Sequence, residues 1–174
     1  IMNYPESLFN GEDSFKKVSY STASREGFEK NYVVFRAITD IAESASQIPL
    51  VFDQPELEEL LRRPYYKQGY TTFIQDALKY KLLGGNYYAH AVTVGNKITY
   101  LRTIRPDRVT IETGYRNGLS EQLIEYRWTQ GSMKTFPVDD EMHSEIFHSK
   151  LFNPFEEYCR MSLLQSAMIS MDQS

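Results

Sequence analysis

The sequence predicts an α+β fold in which amphipathic helices pack on a mostly antiparallel, twisted sheet, and three observations predict it. Apolar residues at three- and four-residue spacing fill the first half, and β-formers cut by tight-turn signals fill the second. No internal repeat or low-complexity stretch interrupts them. At 174 residues the chain has the size of one ordinary domain with a sizeable core.

The elements follow in order. Residues 1–30 are polar, carry Gly11, Gly27 and several serines, and show no sustained period, so an arm or loop is expected. From Asn31 the pattern changes: Tyr32, Phe35, Ile38, Ala42, Ala45 and Ile48 make the stripe of an amphipathic helix. Pro49 ends it, because the residue before a proline is pushed out of helical geometry. The LVF of residues 50–52 predicts a short strand. In PELEELLRR, Pro55 suits a first helical turn, acids come early, and Arg62 and Arg63 come late, as the helix dipole prefers; Pro64 stops the helix. A third helix is expected from about Thr71 to Leu83, with a threonine hydroxyl to cap it and Gly84-Gly85 to close it. Its apolar face is Phe73, Ile74, Ala77, Leu78 and Leu82.

Strands come next, as NYYAHAVTV, KITYLRTI, DRVTIET, QLIEYRWT and SMKTF, with turns at Gly95-Asn96, Asn117-Gly118 and Gln130-Gly131. Alternation puts Val109 and Ile111 opposite Arg108, Thr110 and Glu112, and Ile124, Tyr126 and Trp128 opposite Glu125 and Arg127. Each is a half-buried strand with one wet face. After the polar PVDDEMHS, EIFHSK predicts another strand. Residues 151–174 then read as a helix capped by Asn153, with Pro154 at its first position and Glu156 completing a capping box. Its stripe is Phe155, Tyr158, Met161, Leu164, Met168 and Met171, and no Gly or Pro ends it, which is expected of a fragment of a longer protein.

Composition narrows the function. Apolar residues are 41% and charged residues 24%, which suits neither a disordered nor a membrane protein. A net charge of −4 argues against a surface that grips nucleic acid everywhere. The single Cys159 allows no internal disulfide and no cysteine metal cluster, and no run resembles a signal peptide or membrane span, so a soluble intracellular chain is expected. With 13 Tyr and 10 Phe the chain is rich in the residues that favour sheets, and Tyr also favours interfaces.

VDDEMHSEIFHSK gathers Asp139, Asp140, Glu141, His143, Glu145 and His148. Such groups can bind a divalent metal that activates water, so a metal-dependent DNA-processing enzyme is one reading. His143 and His148 are five apart, which fits one face of neither helix nor strand, and a solvated acidic turn is favoured. His90, pointing opposite to Tyr87, Ala89 and Ala91, is expected to be packed or hydrogen-bonded rather than a ligand. Gly84-Gly85-Asn86 lacks the Lys-Ser/Thr of a phosphate loop, and Cys159 lacks a paired histidine. Arg102, Arg105 and Arg108 surround Pro106 and Asp107, which offers local pairing. They read equally as a salt-bridged sheet face or as a contact with another subunit. A monomeric interaction domain is the remaining class.

The order of these segments carries a resemblance. NYVVFRAITDIAESASQIPLVF resembles the opening helix of the portal proteins of long-tailed, double-stranded DNA phages, which ends in Leu/Ile-Pro-Leu. PELEELLRRP is similar to that family's Leu-Leu-x-x-Pro helix, with Tyr65 where an asparagine is usual. GYTTFIQDALKYKLLGGNYYAHAV is similar to its helix followed by Gly-Asn-x-Tyr-Ala, LRTIRPDRVTI to its Leu-x-Pro-x-x-Val region, and EIFHSK to its strand with a central histidine. LFNPFEEYCRMSLLQSAM resembles the helix after its Gly/Ser-Pro turn, here Asn153-Pro154.

After the N-terminal arm or loop of residues 1–30, the resemblance implies a portal wing-like domain over 31–150 and a helix over 151–174 leading into a further C-terminal part. It implies a structural ring, usually of twelve subunits, at one capsid vertex, through which double-stranded DNA passes during packaging and ejection. Expected partners are further copies of the chain, the terminase motor, the capsid or scaffold protein, the head-tail connector and, non-specifically, DNA. No cofactor, metal, catalytic residue or membrane is implied, and the virion, assembled in the host cytoplasm, is the expected location. Arg102, Arg105, Asp107 and Arg108 become candidate subunit or wing contacts.

Overall fold

The computed structural model describes residues 20–95 and 97–153. Four helices come first: α1 Tyr20–Thr22, α2 Tyr32–Ser46, α3 Pro55–Arg62 and α4 Tyr70–Gly84. Six strands follow: β1 Asn86–Val94, β2 Lys97–Ile104, β3 Val109–Arg116, β4 Leu119–Gln130, β5 Ser132–Pro137 and β6 Ile146–Lys150. All pairing is antiparallel, but the strands divide between two sheets, ordered β2-β1-β6 and β3-β4-β5. The α+β expectation holds, as two stacked sheets rather than one.

Period-two alternation makes β1 the centre of the molecule. Tyr87 and Ala89 face the helices, where they meet Phe73 with Ile74, Ala77 and Tyr80 of α4, Leu61 of α3 and Leu101 of β2. Tyr88 faces the other way, into a core shared with Ile104, Ile146, Leu123, Tyr126, Trp128, Phe136 and Val138. A third cluster joins α2 to α4 through Ile38 and Leu83. The layers therefore run α2, α4, first sheet, second sheet. The outer face of the second sheet is polar, and Arg127 bridges Glu112 at 3.0 Å and Glu125 at 2.7 Å there.

The turn chemistry matches the sequence: Asn117 and Gly118 have φ of 49° and 82°, and Gly95 and Gly131 are also left-handed. Gly85, left-handed at φ 72°, caps α4 by donating its N–H to the Lys81 carbonyl, and the Leu151 N–H then bonds the Gly85 carbonyl. Asn31 caps α2, its Oδ1 accepting from the Val33 and Val34 amides. On one of the two edges of the second sheet, β5 carries Lys134 and ends at Pro137.

Five expectations are corrected. Residues 50–52 form no strand: they have no ladder partner, and Val51 is 91% exposed. The helix expected from Thr71 begins at Tyr70 with Gly69 as its cap and no side-chain capping bond, so no threonine hydroxyl serves. The inward row of α2 is Val34, Ile38, Ala42 and Ser46, at strict four-residue spacing, while Tyr32, Phe35 and Ile48 are exposed. The end of the segment expected as an arm is helical: α1 leads into a π-helical stretch, Ala23–Glu29, because Tyr20 and Phe28 find apolar partners on α2 and α4. Asp107 and Arg108 lie in a 3-10 turn opened by Pro106, so β3 starts only at Val109. The helix expected from residue 154, with Cys159, lies outside the described residues.

Strict alternation also fails where the ladders slip, at Val92/Thr93 between β1 and β2 and at two places between β3 and β4. Glu112 pairs with Glu125 and Thr113 with Leu123, which leaves Ile124 in a bulge, and the buried place expected for Ile124 goes to Leu123. The bulge presses Ile124 over Gly114, where an added Cβ would lie 2.9 Å from Ile124 Cγ1. Gly114→Ala is therefore expected to lower stability by about 1–3 kcal/mol, as overpacking does, measured by urea denaturation. An unchanged midpoint would mean that Ile124 yields freely.

Candidate functional site

The corner between β2 and β3 holds the four candidate contact residues. Arg102 stands across the ladder from His90, and its guanidinium lies over the Trp128 ring, 4.8 Å from the centroid, while Nη2 donates to Gln130 Oε1 at 2.8 Å. The arginine of one sheet is thus held by two residues of the other. His90 fills the adjoining space, with ring centroids 4.8 Å from Phe136 and 5.9 Å from Trp128, and its Nε2 is 3.3 Å from Glu145 Oε2. It is packed, as its strand position predicts.

Arg105 forms a two-pronged pair with Asp107: Nε donates to Oδ1 at 3.1 Å and Nη2 to Oδ2 at 2.8 Å. That carboxylate raises the arginine's pKa further above its already high value. Pro106 and the Tyr20 ring both close on Gly84, where an added Cβ would be 3.0 Å from Tyr20 Cδ2 and 3.3 Å from Pro106 Cβ. Burial there pushes the Tyr20 phenol up to about 12. Arg108 is half-buried at the end of the 3-10 turn.

The acidic segment folds as a turn around Asp139. Its Oδ1 accepts from the Glu141 amide at 3.0 Å and the His143 amide at 2.7 Å, and Met142 takes a left-handed φ of 66°. Those bonds, the His143 amide foremost, hold the Asp139 carboxyl below its ordinary pKa. His148 does not join it. On β6 its ring stacks on Tyr88 at 4.4 Å, with Nε2 2.9 Å from Asn86 Oδ1 and Nδ1 3.3 Å from the Tyr126 hydroxyl. The tautomer with Nε2–H donating to Asn86 lets Nδ1 accept from Tyr126, so both nitrogens act within the sandwich. Among the described residues no group of three or more His, Cys, Asp or Glu is placed to hold a metal ion.

Arg116 is a residue that sequence reasoning missed. Its guanidinium, on a side chain 16% exposed, donates Nη1 to the Asp139 carbonyl at 2.6 Å and Nη2 to the Val138 carbonyl. It ties the acidic turn to the β3–β4 hairpin. An arginine before an Asn-Gly turn carries no signal of this, because its acceptors are backbone carbonyls more than twenty residues away.

A family model described as phage portal protein matches residues 32–174. A Rickettsia felis protein described as uncharacterized is 24% identical over 159 residues, covering 84% of this chain and 40% of its own length. Among solved structures, a chain of the virion of a native gene transfer agent particle aligns with a TM-score of 0.75 and 29% identity, covering 88% of this chain and 41% of its own. A chain of the neck of the native particle, computed with C12 symmetry, aligns with a TM-score of 0.75 at 28% identity, again over 88% of this chain and 41% of its own. This chain spans about two fifths of the length of these relatives. No described helix is long and apolar enough to cross a membrane.

Two measurements check the site. Arg102→Ala removes the contacts with Trp128 and Gln130 and is expected to cost roughly 1–2 kcal/mol in urea denaturation, whereas Arg105→Ala, breaking a surface pair, is expected to cost under about 0.5. Equal losses would mean that Arg102 does not join the sheets. A carboxyl held below its ordinary 3.8 adds stability that is full above that pH and disappears as pH falls through the lower, folded value. Asp139 is therefore expected to titrate below 3.8 by NMR. A midpoint at or above the ordinary value would show that the turn does not bind the carboxylate form.

Proposed function

The chain belongs to the phage portal protein family, and on that premise we propose that it is the wing-forming part of a structural portal subunit. In this reading copies of the full-length protein close into a ring at one capsid vertex of a phage-like particle, and double-stranded DNA passes through the ring's channel in packaging and ejection. The terminase motor, the capsid or scaffold protein and the head-tail connector dock on it, after assembly in the host cytoplasm. The role is mechanical, and the chemistry of packaging belongs to the motor.

The observation that carries the reading is the likeness, over 88% of this chain, to a subunit of a twelve-fold particle neck. Two features of the structure agree with it. The acidic-histidine segment that a DNA-processing enzyme would use is divided between a solvated turn and a packed sandwich. The net charge of −4 suits a ring through which DNA must slide rather than be gripped. Arg105, Asp107 and Arg108 form an exposed or half-exposed corner that we read as a contact with neighbouring wing residues or the adjacent subunit, with Arg102 supporting it from inside the sandwich.

Native mass spectrometry with negative-stain imaging of the full-length protein tests the proposal. A closed ring with a central hole is expected. A stable monomer at high concentration would overturn it and favour a monomeric interaction domain.

A further inference from the structure

The first sheet separates two groups of opposite charge. One lies on the β2 side, where the segment after α3 runs beside the strand and the Leu101 N–H donates to the Pro64 carbonyl at 2.7 Å. Tyr65 meets Tyr66 at 4.5 Å and Tyr100 of β2 at 6.2 Å, and Lys67 Nζ lies 5.3 Å from the Tyr66 centroid. Arg62 is occupied by Glu58 at 3.3 Å, but Arg63, Lys67 and Lys97 are exposed and pair with no carboxylate among the described residues. The other group lies on the β6 side, across β1 from β2. Asp139, Asp140, Glu141 and Glu145 are exposed on the turn that enters β6, beside His143 and His90. Arg116 offsets one of these carboxylates at most, because its guanidinium serves two carbonyls and stands 3.8 Å from Asp140. Both groups border the same end of β1: Tyr100 and Lys97 pair with Val92 and Val94, and the Glu145 carbonyl accepts from the Ala91 N–H at 2.8 Å.

We propose that the two groups meet between neighbouring copies of this chain, the basic β2 side of one subunit against the acidic turn of the next. The inference rests on the ring reading above and assigns it a pair of surfaces. A cyclic ring joins unlike faces, and in a ring of many subunits those two faces lie nearly opposite each other. Opposite edges of one sheet, level along its central strand, meet both conditions. The signs add direction: the β2 side attracts the turn of another copy and repels a second β2 side, so head-to-tail pairing is favoured over a closed pair. Isolated surface ion pairs would contribute little, but Tyr66 and Tyr100, 58% and 41% exposed, add aromatic area of the kind that interfaces use.

Charge reversal in the full-length protein tests it. Arg63→Glu with Lys67→Glu, and separately Asp140→Lys with Glu141→Lys, are each expected to lower the ring population in native mass spectrometry about tenfold or more, with far-UV circular dichroism unchanged. A chain carrying all four substitutions is expected to form rings again, because the attraction returns with its signs exchanged. Rings undiminished by either pair, or not restored by the four together, overturn the inference and leave the ring reading intact. Cross-linking of the wild type decides the matter even where a variant does not fold. A carbodiimide, which joins amines to carboxylates in contact, is expected to link Lys67 or Lys97 to residues 139–145 in the ring and not in the dissociated subunit. Links from these lysines only to carboxylates beyond residue 174, or none, overturn the inference. A wild type that forms no ring fails the underlying reading and the inference with it.

Discussion

The fold depends on β1 being buried on both faces. A strand usually spends one face on water; here Tyr87 and Ala89 take the helices and Tyr88 and His90 take the second sheet. Every other layer is positioned by that strand. α4 reaches it through Phe73, and α2 reaches it only through α4. The second sheet shares no ladder with it and is held by side chains alone, which is why so many of those side chains are aromatic.

Sheets joined only by side chains need some directional contacts besides apolar area. Three polar groups provide them: Arg102 over Trp128, His90 between Trp128 and Phe136, and His148 between Tyr88 and Tyr126. Each has at least one hydrogen-bond partner, which offsets part of the cost of its burial. Two histidines and an arginine that would draw attention in a search for chemistry are here occupied in holding the sandwich.

Much of this was legible in the residues, and the limits have physical causes. Helix ends marked by proline or glycine and turns marked by Asn117-Gly118 were readable because those residues act through their own backbone geometry. The face of α2 was harder: two apolar rows run along one helix, and a periodicity cannot say which of them meets α4. The bulge at Ile124 was invisible because it arises from pairing between strands, and Arg116 because its acceptors are main-chain atoms. The arginines around Pro106 could be read as a group but not divided. Arg102 has a partner in the other sheet and Arg105 one two residues away, a difference that only three dimensions reveal.

The β5 edge of the second sheet has a further consequence. Lys134 and Pro137 on β5 make a poor template for an incoming strand, since one brings charge and the other lacks an N–H. An unprotected edge of this kind invites strand-on-strand growth whenever identical copies meet. With that edge blunted, a contact made there falls to side chains, which carry a shape and a direction that a row of backbone hydrogen bonds lacks.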